Sequence, residues 1–298
     1  QMDVLQMPDD RIAFACPEIE NCPRNFNTKT ARGVVAESLM ALGEGMNCLS
    51  YFLVDPVDEA QSWYGDTYYK PLAAAAPRLK RFAELCAGTR PGGLKLPRKP
   101  SSAVLGAIGI PMTTAPAWEC AALIEAQTAR EIPAQDLENL LMGGVVTDEA
   151  AARVLKGRGL LATDEVGFHE RRNARIQILP EGAFNAAWGL PSSRILDLAQ
   201  AADLAAIGRM PVLPEQASQL VVQPRVTASG ELKAVAVVNA MIDVSPPVRL
   251  HLRGIPAACA TATWTPLSGS FGLDEVALPV DRSADDGEPR VTLPKLDA

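Results

Sequence analysis

The stretch "RIAFACPEIENCP", Arg11 to Pro23, decides how this chain is read. Ile12 to Cys16 form a short apolar run that Pro17 stops, and Glu18 and Glu20 follow at once. A run of this kind, bounded by proline, predicts a buried strand. Residues two apart on extended chain share a face, so the two carboxylates point the same way. Next, "TKTARGVVAESLMALGEG" predicts a helix capped by Thr28 or Thr30 and ended by glycine. "MNCLSYFLVD" predicts a second buried strand, again closing on an acid, Asp55. A loop carrying Trp63, Tyr64, Tyr68 and Tyr69 leads into a second helix, "YKPLAAAAPRLKRFAELCAG". Strand, helix, strand, helix, with strands apolar almost throughout, predicts a parallel sheet covered by helices.

Thr89 to Ser102, "TRPGGLKLPRKPSS", is rich in proline, glycine and lysine and is expected to be a linker. Residues 94–209 predict a small α/β unit. "AVLGAIGIPM" and "ECAALIEAQ" are candidate strands, and "PAQDLENLLMGG" an amphipathic helix with a glycine stop. "VVTDEAAARVLKGRGL" reads as strand, acidic cap and helix, and "TDEVGFHERRNARIQILPEG" as exposed strand. From Met210 the helix signals cease. "SQLVVQPRVTASGELKAVAVVNAMIDVSPPVRLHLRG" and "ATATWTPLSG" predict alternating strands of an antiparallel β-sandwich, residues 210–298.

The length of 298 residues suggests about two or three domains, and 48% hydrophobic with 21% charged residues suits a globular chain. A net charge of -7 argues against nucleic acid as a partner. No apolar run approaches the roughly 20 residues of a membrane span. The six cysteines, at 16, 22, 48, 86, 120 and 259, show no CxxC and are expected to be reduced core residues. With two lone histidines, His169 and His251, no metal site or cofactor is expected. Cys120 lacks the flanking glycines of a nucleophile elbow, so cysteine chemistry in the middle unit is not expected. Trp264 reads as a core residue of the β unit, with carbohydrate stacking as the alternative.

In a parallel α/β barrel, an acid directly after a buried strand points into the active site. Retaining glycosidases set two carboxyls about 5–5.5 Å apart across the bond, normally from different strands. Glu18 and Glu20 are therefore not a matched pair. One of them is catalytic, or both are solvated loop acids.

"IENCP", a helix, and then "ALGEGMNCLSYFLVD" resemble the end of the catalytic barrel in beta-galactosidases of glycoside hydrolase family 42. In that resemblance Glu20 takes the place of the nucleophile, Ile19 stands where the family has methionine, and Pro23 matches its proline. Tyr51-Phe52 resemble the aromatic pair of the eighth strand, and Trp63 the floor of the sugar subsite. Glu18, Asp55 and Trp63 are the implied substrate-binding residues. The resemblance implies the following architecture: the last two β/α units of a (β/α)8 barrel at 1–93, a flavodoxin- or amidotransferase-like domain without activity at 94–209, and the sandwich. It further implies a homo-oligomer, a trimer in that family, acting on a carbohydrate without a cofactor.

The acid/base glutamate is then expected before Gln1, which makes the chain the C-terminal part of a larger enzyme, inactive alone. The alternative is a non-catalytic oligomerisation or carbohydrate-binding module.

Overall fold

A computed structural model describes residues 14–20, 29–53, 65–97, 109–113, 119–172, 174–184, 192–206, 210–216, 220–239, 244–267, 274–283 and 285–296. The chain is mixed α/β, with one mixed sheet, one parallel pair and three antiparallel sheets.

The first unit alternates as expected: β1 (Glu18–Glu20), α1 (Ala31–Gly43), β2 (Ser50–Phe52) and α2 (Lys70–Cys86), the last entered through a π-helical turn, Gly65–Tyr69. Thr30 caps α1, its Oγ1 accepting the Gly33 amide at 3.0 Å. The strands are parallel, with Glu18 opposite Ser50, Ile19 opposite Tyr51 and Glu20 opposite Phe52. One expectation is displaced. The strand is Glu-Ile-Glu itself; the described part of the run before Pro17, residues 14–16, lies outside it, and Phe14 is 70% exposed. Pro17 has no amide to give a ladder, and the Ala15 amide goes instead to Asn47 Oδ1 at 2.9 Å. Pairing starts only where the Pro17 carbonyl accepts the Ser50 amide, at 3.1 Å.

The described part of the expected linker, residues 89–97, is structured. Arg90–Pro91 forms β3 and Leu94–Lys95 forms β4, with Leu94 and Leu96 both buried. Gly93, at φ +145°, lets its backbone lie directly on that of Pro111. Composition suggested a linker, but glycine here serves close backbone approach.

Beyond β4 the chain continues as β5 (Met112–Thr113), β6 (Ala122–Ile124), α3 (Ala126–Glu131), α4 (Ala134–Met142), β7 (Val145–Asp148), α5 (Glu149–Gly157), β8 (Gly167–Arg171), β9 (Ala174–Leu179) and α6 (Ser192–Ala205). The six strands run β5-β4-β6-β7-β9-β8, all parallel except the edge strand β8. Counted along the chain, the five parallel strands lie in the order 2-1-3-4-5, a common doubly wound order. Alternation sends Ala122, Ile124, Val145, Ile176 and Ile178 to a core with α3, α4 and α5. Leu94, Leu123 and Val146 go to the opposite core, under α6. The segment read as exposed strand is thus a hairpin whose second strand, β9, is interior. Helix α6 is an element the sequence reading passed over, although Leu198, Ala202 and Ala205 recur at helical spacing and are all buried.

Asp148 ends β7 and caps α5: its Oδ1 accepts the Ala151 amide at 2.9 Å and its Oδ2 the Gly182 amide at 3.4 Å. Asp148→Ala should therefore cost about 1–2 kcal/mol, read as a lowered urea midpoint, with Asp148→Asn retaining most of the stability.

The last region contains β10 (Val212–Pro214), β11 (Leu220–Val226), β12 (Leu232–Asn239), β13 (Arg249–Leu252), β14 (Thr261–Trp264), β15 (Val276–Pro279) and β16 (Arg290–Thr292). Its sheets, β10-β13-β16, β12-β11 and β14-β15, are antiparallel and share one apolar core. β3 adds to β11 as a third strand, so the end of the first unit is stitched to this region. Arg253 forms a two-pronged ion pair with Asp203 on α6, which ties the same region to the middle sheet. Among the described residues, no helix is long and apolar enough to cross a membrane.

Candidate functional site

The β1–β2 pair has one covered face. Ile19 is fully buried against Val34, Leu53 and Tyr68, and its partner Tyr51 packs on the same cluster. Tyr51 Oη is 3.0 Å from Ser38 Oγ on α1, which fixes that face against the helix. Strand alternation then sends Glu18 and Glu20 to the opposite face, beside Ser50 and Phe52. Glu18 is exposed and Glu20 half-buried at the carboxyl end of the strand. The structure thus puts both glutamates on one side, as the spacing predicted. Asp55 and Trp63 lie outside the described residues, as do Cys22 and Pro23.

A second feature is a groove of about 840 Å³ between α1, α2 and the last region. Its lining includes Arg32, Arg78, Phe82, Lys233, Trp264 and Asp274. Trp264 is half-buried: it packs against the β core and also borders this groove. Arg81 of α2 pairs with Glu275 beside β15 across the groove.

A third cluster carried no motif in the sequence. Glu44, at the C-cap of α1, accepts the Gln223 amide at 3.0 Å. Burial pushes the Glu44 carboxyl up to about 7, with the charge of the chain's amino group and the Gln223 bond acting the other way. Beside it Arg225 is buried, donating from Nη1 to the Gly43 carbonyl at 3.4 Å and from Nε to Thr89 Oγ1 at 3.0 Å. Burial also pushes the Cys86 thiol up to about 11, against the pull of Arg225. The only available cue was an acid between two glycines at a helix end, which is also what a solvated turn looks like.

Cys120 is buried at the amino end of β6, whereas ligands of such sheets gather at the carboxyl ends. His169 lies on β8, with two strands between β8 and β6, about 14 Å of sheet. Its Nε2 is 2.8 Å from the Glu165 carbonyl. His251 Nε2 is 3.4 Å from Glu288 Oε2. Cys16, Cys48, Cys86 and Cys259 are free and half-buried rather than core residues, and only Cys120 among the described cysteines is buried. Among the described residues no three potential ligands gather to hold a metal.

Compared with protein-family models, curated proteins and solved structures, the chain matches none.

Proposed function

We propose that this chain is the nucleophile-bearing part of a retaining glycoside hydrolase similar to the family 42 beta-galactosidases, with Glu20 as the nucleophile. The observation that carries the reading is the position of Glu20: the last residue of a parallel strand, on the face away from the helices, beside Phe52. In an α/β barrel that face is the lumen and that strand end is the active-site end. The middle sheet, with its 2-1-3-4-5 order, fits a flavodoxin- or amidotransferase-like domain serving as an oligomer scaffold. The last region fits a β-sandwich.

In this mechanism a Glu20 carboxylate oxygen attacks the anomeric carbon as the bond to the leaving oxygen breaks. A second carboxylic acid gives its proton to that oxygen, then takes one from the water that hydrolyses the glycosyl ester. Glu18 is not that acid. It lies two residues back on the same strand, roughly 6.5–7 Å along the chain, and approaches the sugar from the same side. The acid/base comes from a barrel strand other than β1 and β2. Glu18 is left to hydrogen-bond a sugar hydroxyl.

The test is to inactivate the natural full-length protein with a dinitrophenyl 2-deoxy-2-fluoro-β-galactoside and map the adduct by peptide mass spectrometry. The expected result is one fluoroglycosyl group on Glu20. An adduct on another carboxylate, or turnover of nitrophenyl galactoside with no adduct, rules Glu20 out.

The groove beside Trp264 favours one alternative, a carbohydrate-binding module without catalysis. In that case the full-length protein would hydrolyse no nitrophenyl glycoside, yet would bind an oligosaccharide in calorimetry, and Trp264→Ala would abolish the binding.

A further inference from the structure

Two buried acceptors at one contact have no donor. Glu44 Oε1 accepts the Gln223 Nε2–H at 3.0 Å, while Glu44 Oε2 and Gln223 Oε1 are both out of solvent without a hydrogen-bond partner among the described residues. A charged carboxylate and an amide oxygen are both acceptors only, so neither can satisfy the other. Flipping the amide does not help, because it turns Oε1 toward a carboxylate oxygen instead. One proton on Glu44 would remove the charge from the buried carboxylate and supply the donor that this pair lacks, with Gln223 Nε2–H still donating to Oε1.

The packing holds the partners in place. Gln223 lies against Gly43, so closely that a Cβ on Gly43 would overlap Gln223 Oε1 and come within 3.0 Å of its Cβ. Gln223 itself is 9% exposed. The contact joins the end of α1, the helix that follows the Glu20 strand, to the middle of β11.

We propose that Glu44 and Gln223 form a neutral acid–amide pair, a proton-operated latch that holds the first unit on the last region and loosens when the proton leaves. The charged or titratable described groups around it are Arg225 on β11, Arg90 on β3 and Cys86 at the end of α2. Arg90 is paired with Glu119 through Nη2, and its Nε is buried without a hydrogen-bond partner. Arg225 flanks the latch, 3.2 Å from where a Gly45 Cβ would stand, but its guanidinium is spent on Gly43 and Thr89. Cys86 stays a neutral thiol, since its value lies near 11. Among the described residues neither guanidinium hydrogen-bonds Glu44 Oε2 or Gln223 Oε1, and the charge of the chain's amino group, which pulls the Glu44 carboxyl down, is outweighed by burial. The inference rests on this contact alone and stands whether or not Glu20 is a nucleophile.

The carboxyl sits near 7 in the folded chain against an ordinary 4.5, so its stabilisation is full below about 4.5 and lost as pH rises through about 7. The folded-to-unfolded ratio should fall on the order of a hundredfold across that window through this group. The experiment is urea denaturation of the full chain at half-unit steps from pH 5 to 8, for the natural sequence and Glu44→Gln. The variant keeps an amide in place of the neutral acid and cannot titrate. It is expected to match the parent at pH 5, to exceed it at pH 8, and to lack this decline. An unchanged decline in Glu44→Gln overturns the latch. The parent protein supplies a second readout. At pH 6, where ordinary carboxylates are ionised, its infrared spectrum should show the carbonyl band of a neutral acid, gone by pH 8. Absence of that band at pH 6 also overturns the proposal, even if the variant does not fold.

Discussion

Replacing Glu20 with glutamine should lower kcat for an activated aryl β-galactoside by about 10³-fold or more in the full-length protein. Glutamine keeps the size and hydrogen-bonding reach of the side chain but has no anionic oxygen to form the glycosyl ester. The loss therefore falls on the chemical step, with KM changed far less. Glu18→Gln serves as the comparison. With Glu18 hydrogen-bonding a sugar hydroxyl, that change weakens a ground-state contact, so its effect is about tenfold and shared between KM and kcat. Full retention of turnover in Glu20→Gln, or a reversed order of the two variants, removes Glu20 from the nucleophile's role. Glu20→Gly with added azide gives a stereochemical check. A small anion entering where the carboxylate stood should restore turnover and yield the α-glycosyl azide.

Gly144→Ala is expected to destabilise the chain by about 3 kcal/mol or more, enough to threaten folding of a marginally stable domain. Gly144 joins α4 to β7 at φ +97°, a conformation that L side chains rarely adopt. A Cβ there would overlap the backbone oxygen of Ala205 at the end of α6 and stand 3.3 Å from the Arg175 carbonyl oxygen. Neither obstacle is the tip of a movable side chain. Relief would need α6 to shift away from the sheet and open the core beneath it. Gly159→Ala separates the two contributions, since Gly159 also has positive φ, +73°, but nothing within 4 Å of its Cβ position. That variant should lose only about 1 kcal/mol, the backbone penalty alone. Equal urea midpoints for the two variants would show that the α6 contact carries no weight.

Much of the local structure was legible in the sequence because it follows from local chemistry. Thr30 and Asp148 cap their helices through their own side-chain oxygens. The apolar periods of α4 and α5 and the alternation in β11 and β12 fix element type before any tertiary contact forms. The two-residue spacing of Glu18 and Glu20 puts them on one face for the same reason. Other features depend on distant partners and were not legible. Arg90–Pro91 and Leu94–Lys95 look like linker until β11 and β6 stand beside them, because a two-residue strand has no periodicity of its own. β9 looks exposed until β7 and β8 enclose it.

By itself, then, the sequence determined the alternating α/β start, the antiparallel finish and a carboxylate pair on one strand face. All are properties of hydrophobic period, caps and the two-residue repeat of extended chain. Only the tertiary structure decided which face of that strand is free, that Arg90–Pro91 and Leu94–Lys95 of the supposed linker pair into sheets, and that Glu44 lies against Gln223 as two buried acceptors short of one proton. Those depend on contacts between residues as many as 179 positions apart, and no local pattern encodes which distant group will take water's place.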